Sequence, residues 1–130
     1  MENNGWYGFD LDACIAYYDH YRGDAHIGEP IWPMVNLMRK FIADGRRVKI
    51  FTARVSPAAI VGRNPSIKTQ EGIEKELTKI VQAIVDWSLQ NIGSLVPITA
   101  TKDYEMITCY DDRCIQIVPN EGRRADGLPL

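Results

Sequence analysis

The sequence predicts an α/β fold: a mostly parallel sheet with helices on both faces. Short apolar runs alternate with longer stretches of helical hydrophobic period. Polar residues with reactive side chains follow the apolar runs, at the carboxyl ends where a parallel sheet gathers its ligands. The 130 residues suit a single domain, 1–130, with a core over about 6–118 and a loop tail over 119–130. A chain of this length buries about 65% of its unfolded surface and needs no disulfide or metal to do so.

Each element has its own signal. Trp6 to Leu11 is the first strand. Pro33 to Gly45 is the first long helix: Met34, Leu37, Met38, Phe41 and Ile42 keep helical spacing, Pro33 suits the first turn, and Gly45 suits the left-handed residue after the last. Val48 to Thr52 is the second strand. Ala53 to Lys68, with Arg54, Arg63 and Asn64, is polar and reads as a loop, serving as a small lid or a phosphate-binding segment. The longest helix runs from about Gln70 to Ile92, capped by Thr69 and ended by Gly93, with Ile73, Leu77, Ile80, Val81, Ile84 and Val85 facing inward. Pro97 to Thr101, Met106 to Tyr110 and Ile115 to Val118 are the third, fourth and fifth strands, and the tail from Pro119 is loop.

Composition narrows the function classes. With 45% hydrophobic and 25% charged residues and a net charge of −2, nothing draws the chain generally toward nucleic acid or anionic membranes. No apolar stretch approaches about 18 residues, and Met1-Glu2-Asn3-Asn4 lacks the basic-then-apolar layout of a leader, so the expectation is a cytoplasmic protein with no membrane partner. Cys14, Cys109 and Cys114 are odd in number and form no CxxC pair; they read as reduced, mostly buried thiols. His20 and His26 read as loop residues without metal-ligand spacing, and Trp6, Trp32 and Trp87 as packing residues.

The chemistry begins at Asp10-Leu11-Asp12. Strand side chains two apart point the same way, so Asp10 and Asp12 leave the first strand together while Leu11 turns away. Two carboxylates at one site divide the work: an ionised one can attack phosphorus, and the other, its pKa raised by the like charge, can hold a proton for the leaving group. Thr52 ends the second strand, Lys102 follows the third, and Asp111-Asp112 ends the fourth. Each alone has a plainer reading: an Asp-x-Asp turn, a strand-end hydroxyl bonded to backbone, a solvated lysine, an acidic turn paired with Arg113. Together, in order, at four strand ends, they outweigh those readings. Lys68 is the second candidate cation, but it precedes the long helix rather than following a strand.

These motifs resemble those of the haloacid dehalogenase (HAD) superfamily of aspartate-nucleophile phosphatases, over nearly the whole chain from Tyr7 to Val118. Tyr7 to Asp12 resembles its first motif, Val48 to Thr52 its second, Lys102 its third and Asp111-Asp112 its fourth; Phe51-Thr52-Ala53-Arg54 and Asp111-Asp112-Arg113 resemble nucleotidase-like and polynucleotide-phosphatase-like branches. The resemblance implies a three-layer Rossmann-like fold and a magnesium-dependent phosphate monoesterase acting through an aspartyl-phosphate. Asp10 would be the nucleophile and Asp12 the acid and base. Thr52, Ala53, Arg54 and Lys102 would hold the phosphoryl group, with Lys102 also offsetting charge. Magnesium would sit on Asp10, the backbone carbonyl of Asp12 and the pair Asp111 and Asp112, with Asp112 favoured as direct ligand.

Two departures bear on this expectation. Asp12-Ala13-Cys14 stands where many family members have Asp-Gly-Thr, making the loop less adaptable. Only 39 residues separate Asp12 from Thr52, too few for a large cap domain. A capless site suits a large substrate such as a nucleic-acid end or a phosphoprotein, or a small one such as a nucleotide enclosed by a homodimer. The rivals are a catalytically quiet binding or scaffold protein on the same fold and a receiver-like phosphoacceptor domain. In the latter the acidic pair comes first, whereas here it comes last.

Overall fold

The computed structural model describes residues 4–130; Met1, Glu2 and Asn3, part of the terminus read for a leader, lie outside them. Four strands form one sheet in the order β3-β2-β1-β4, every neighbouring pair parallel. They are β1 (Trp6–Asp10), β2 (Arg47–Phe51), β3 (Ile98–Thr99) and β4 (Met106–Tyr110). The helices are α1 (Trp32–Ala43), α2 (Pro57–Arg63) and α3 (Gln70–Asn91), with a 3-10 turn over Ala53–Val55. This is an α/β architecture. No helix among the described residues is long and apolar enough to cross a membrane.

The helix ends follow the sequence chemistry. Pro33 sits in the first turn of α1 and Gly45 lies just past it at φ +78, a conformation that costs glycine nothing. The Thr69 side chain caps α3 by accepting from Gly72 N at 3.0 Å, and Gly93 follows its end at φ +86.

Register explains which faces are buried. Tyr7 pairs with Val48 and Phe9 with Ile50, so alternate residues of β1 and β2 share one face. Phe41 of α1 packs edge-on against Tyr7 and Phe9, while Tyr110 of β4 stacks on Phe9 at 4.8 Å. The α3 residues Ile80, Ile84 and Trp87 join the same buried cluster as Phe9, Ile50 and Met38. Both long helices thus build on one face. The other face carries Trp6 and Phe51, and the segment joining β3 to β4 fastens there: Trp6 Nε1 donates to Asp103 Oδ1 at 2.8 Å, and Lys49 Nζ lies 3.8 Å from Asp103. Instead of a second helical layer, this face has a short connecting segment.

Several local expectations change. The segment 53–68 is not all loop: Ser56-Pro57 starts α2, whose Ile60 is fully buried. Ile115 to Val118 is not a strand; Ile117 makes only an isolated antiparallel bridge to Arg124, and both Ile115 and Ile117 are exposed. β3 contracts to two residues because only Ile98 and Thr99 pair with β2. Trp87 and Ser88 extend the buried stripe of α3, whereas Ile73, Val81 and Val85 are only half-buried. Of the thiols, Cys14 is buried but Cys114 is exposed.

Candidate active site

The strand order makes a crevice. From β1 the chain winds outward through β2 to β3, then returns past both to place β4 on the other side of β1. The carboxyl ends of β1 and β4 therefore flank a topological switch point, where open parallel sheets bind ligands. Asp10 closes β1 and Asp111 follows β4 directly. A cleft of about 310 Å3 opens here, lined by Asp10, Asp12, Thr52, Arg54, Asp111 and Asp112, with Ala13, Tyr18, Phe51, Ala53, Arg63 and Arg113 completing its wall.

The turn after β1 aims the carboxylates. Leu11, Ile15 and Ala16 are fully buried, and the Leu11 carbonyl accepts from Ile15 N at 3.2 Å and Ala16 N at 2.9 Å. With Leu11 anchored inward, Asp10 and Asp12 face the cleft, as the two-residue period predicts. Ala13 pays for the tight turn with φ +64, the left-handed region that favours glycine.

Three carboxylates converge: oxygens of Asp10, Asp111 and Asp112 lie within 4.8 Å of one another. Burial pushes the Asp10 carboxyl up to about 8, helped by a side-chain hydrogen bond with Asp112 and by the charges of Asp111, Asp112 and Asp12. Among these neighbours Asp112, hydrogen-bonded to Asp10, weighs most and Asp12 least. Among the described residues no ion pair engages any of these three acids. Two half-buried carboxylates and an exposed one, none in such a pair, are a donor set suited to a hard, oxygen-seeking ion such as magnesium.

Asp12 belongs to a different network. Arg54 Nη2 donates to Asp12 Oδ1 at 2.8 Å and Nε to Oδ2 at 2.9 Å, a bidentate pair. Arg54 Nη1 also donates to the carbonyls of Asp24, at 2.9 Å, and His26, at 2.6 Å. Arg54 is therefore a clamp on Asp12 and on the loop before α1, with little of its fork left for a phosphoryl group. Asp24 extends the clamp, accepting from Tyr21, Arg63 and Asn64 at 2.7, 2.7 and 2.8 Å. Burial alone would raise the Asp24 carboxyl, but these hydrogen bonds and the Arg63 charge hold it below its ordinary value. Sequence reasoning missed Asp24; two of its three partners, Arg63 and Asn64, stand 39 and 40 residues away, and no local pattern marks it.

Thr52 is buried just past β2, its Oγ1 accepting from Arg54 N at 3.2 Å, and beside it Ala53 lines the cleft. Lys102 does not line the cleft. It is exposed in the β3–β4 segment, near enough for its charge to be felt at Cys109 and Cys114. The cation standing at the cleft wall beside the acidic pair is Arg113. Cys14 donates to the Tyr110 carbonyl at 3.4 Å, and burial pushes its thiol up to about 12, which removes it as a nucleophile. His20 and His26 are loop residues outside the acidic cluster.

Comparison with protein-family models, curated proteins and solved structures finds no match for this chain.

Proposed function

We propose that this protein is a magnesium-dependent phosphohydrolase of the HAD type, cleaving a phosphate monoester through an aspartyl-phosphate on Asp10. The observation that carries the reading is the convergence of Asp10, Asp111 and Asp112 at the switch point between β1 and β4, with Thr52 at the end of the adjoining strand. Asp10, Asp111 and Asp112 would hold the metal, joined by the Asp12 carbonyl. When bound, the ion supplies the positive charge that keeps Asp10 ionised and lessens its repulsion from an anionic substrate.

The chain's own groups divide the remaining work. Asp10 Oδ attacks phosphorus as the bond to the leaving oxygen breaks. Asp12 delivers a proton to that oxygen, then takes one from the water that hydrolyses the acyl phosphate. Both oxygens of Asp12 are held by Arg54, yet each keeps a second lone pair for the proton. The Thr52 hydroxyl, fixed by Arg54 N, is placed to donate to a phosphoryl oxygen. Arg113 takes over the charge-offsetting place first expected of Lys102. The exposed position of Lys102 favours one second reading, a metal-binding protein on the same fold that does not turn over phosphate esters.

Phosphate release from p-nitrophenyl phosphate, nucleoside monophosphates and 5′- and 3′-phosphorylated oligonucleotides, with and without magnesium, tests the reaction. Wild type is expected to release phosphate only with the metal. Asp10→Asn should lower the rate by at least about 1,000-fold, the scale of losing a covalent nucleophile. Magnesium binding without release from any substrate would leave the second reading standing.

A further inference from the structure

We propose that a recess beside the cleft is the leaving-group subsite and takes the base of a nucleoside monophosphate, a substrate class that rests on the phosphohydrolase reading above. The recess, about 210 Å3, is lined by Tyr17, Tyr18, His20, Arg22, His26 and Arg54 together with Asp19 and the segment from Ile27 to Glu29. Tyr18 and Arg54 also line the cleft, so the two spaces share a wall. A phosphoryl group facing Asp10 has this recess as its adjoining space. A larger apolar groove along β3 shares no lining residue with the cleft.

The walls fit one flat ring with hydrogen-bonding edges. Tyr17 and Tyr18 are 60% and 38% exposed, and among the described residues neither ring packs on another aromatic, unlike Tyr7 and Tyr110. Aromatic faces of this kind bind bases by stacking. Around them stand donors and acceptors of both kinds, matching the mixed edge of a nucleobase. The arginines are already committed: Arg22 donates to both Asp19 and His20, His20 Nδ1 lies 2.8 Å from Asp19, and Arg54 is paired with Asp12. The recess therefore has no row of uncommitted cations to follow a phosphodiester backbone, which favours a monomer over a nucleic-acid end.

The subsite is preformed. Tyr17 N donates to the Glu29 carbonyl at 2.8 Å, Trp87 Nε1 to the Gly28 carbonyl at 2.9 Å, and Arg54 ties down Asp24 and His26. Gly28 is required for this closure, because a Cβ there would stand 1.9 Å from the Tyr17 carbonyl oxygen.

Calorimetry in magnesium-containing buffer tests the proposal in an Asp10→Asn background, which blocks turnover whether or not the chain is a phosphohydrolase. Adenosine monophosphate is expected to bind about tenfold tighter than glycerol phosphate. Adding Tyr18→Ala, at an exposed position outside the buried core, should cut that preference below about threefold. Equal affinities, no binding of the nucleotide, a preference that survives Tyr18→Ala, or tighter binding of a 5′-phosphorylated oligonucleotide would each overturn it. Nucleotide preference without phosphate release by wild type would keep the subsite and remove the reaction, so the two failures are separable.

Discussion

The two walls of the cleft are built differently. On the β1–β2 side, Asp12 and Thr52 are locked by Arg54, Arg54 by loop carbonyls, and the loop by Asp24, Arg63 and Asn64. On the β4 side, Thr108 and residues 112–117 are exposed, and the tail is held by local pairs such as Arg124–Asp126 and Arg123–Glu121. One wall owes its geometry to the protein; the other keeps its carboxylates close against their own repulsion. For the proposed phosphohydrolase, the first kind of wall would give catalytic precision and the second would serve metal exchange.

The comparison breaks most visibly at Arg54. Arg54→Ala leaves the Asp12 carboxylate and the carbonyls of Asp24 and His26 without their donor in a mostly buried setting. The expected loss is about 3 kcal/mol, the scale for removing one partner of a buried pair. Asp112→Asn, on the exposed wall, should change stability by less than about 0.5 kcal/mol without metal. Urea unfolding of both variants measures the contrast, and similar losses would show the walls to be equally rigid. With magnesium added, wild type should gain stability that Asp112→Asn largely forfeits.

A second test uses the proton on the acidic wall. The folded-state pKa of Asp10 is raised to about 8, above its unfolded value, so its contribution to stability is complete at acid pH and is lost as pH rises toward 8. Metal-free wild type should therefore weaken between about pH 4 and pH 8, and Asp10→Asn should be spared that loss. At pH 8.5 the variant is expected to be more stable by on the order of 1–2 kcal/mol, the half-buried site being screened in part by water. Thermal unfolding across pH reads this directly. A flat difference between the two proteins would mean that the Asp10 carboxyl is not raised in the folded chain.

How much of this was legible follows the range of the interactions. Asp10, Asp12, Thr52 and Asp111 could be placed because a strand's period and end are local properties, and Gly45, Thr69 and Gly93 because caps are too. α2 was hidden because seven residues are too few to display a helical period. Ile115 to Val118 misled because apolar alternation shows the capacity to pair and not the presence of a partner. Arg54 was expected to hold a phosphoryl group, whereas the folded chain sets its guanidinium on Asp12, a carboxylate 42 residues away that no local pattern could pair with it. Lys102 follows the third strand as the sequence order places it, but the segment crossing from β3 to β4 leaves it outside the cleft lining.

A smaller gain is expected at Ala13, where the rigid wall stores strain. At φ +64 its Cβ crowds the neighbouring backbone, at a cost of about 1–2 kcal/mol. Glycine would relieve this but lose more freedom on folding, about 0.5–1 kcal/mol, leaving a net gain for Ala13→Gly of about 0.5–1 kcal/mol. The same change loosens the turn that carries Asp12, whose position depends on the Ala13 N to Ala16 O hydrogen bond of 2.8 Å as well as on Arg54. Stability should therefore rise while phosphate release falls a few-fold in kcat, with KM little altered because Thr52 and the acidic cluster are untouched. If release is unchanged, Arg54 alone positions Asp12 and the strain has no part in the chemistry; if stability falls, the turn is relaxed as it stands and the alanine fits it.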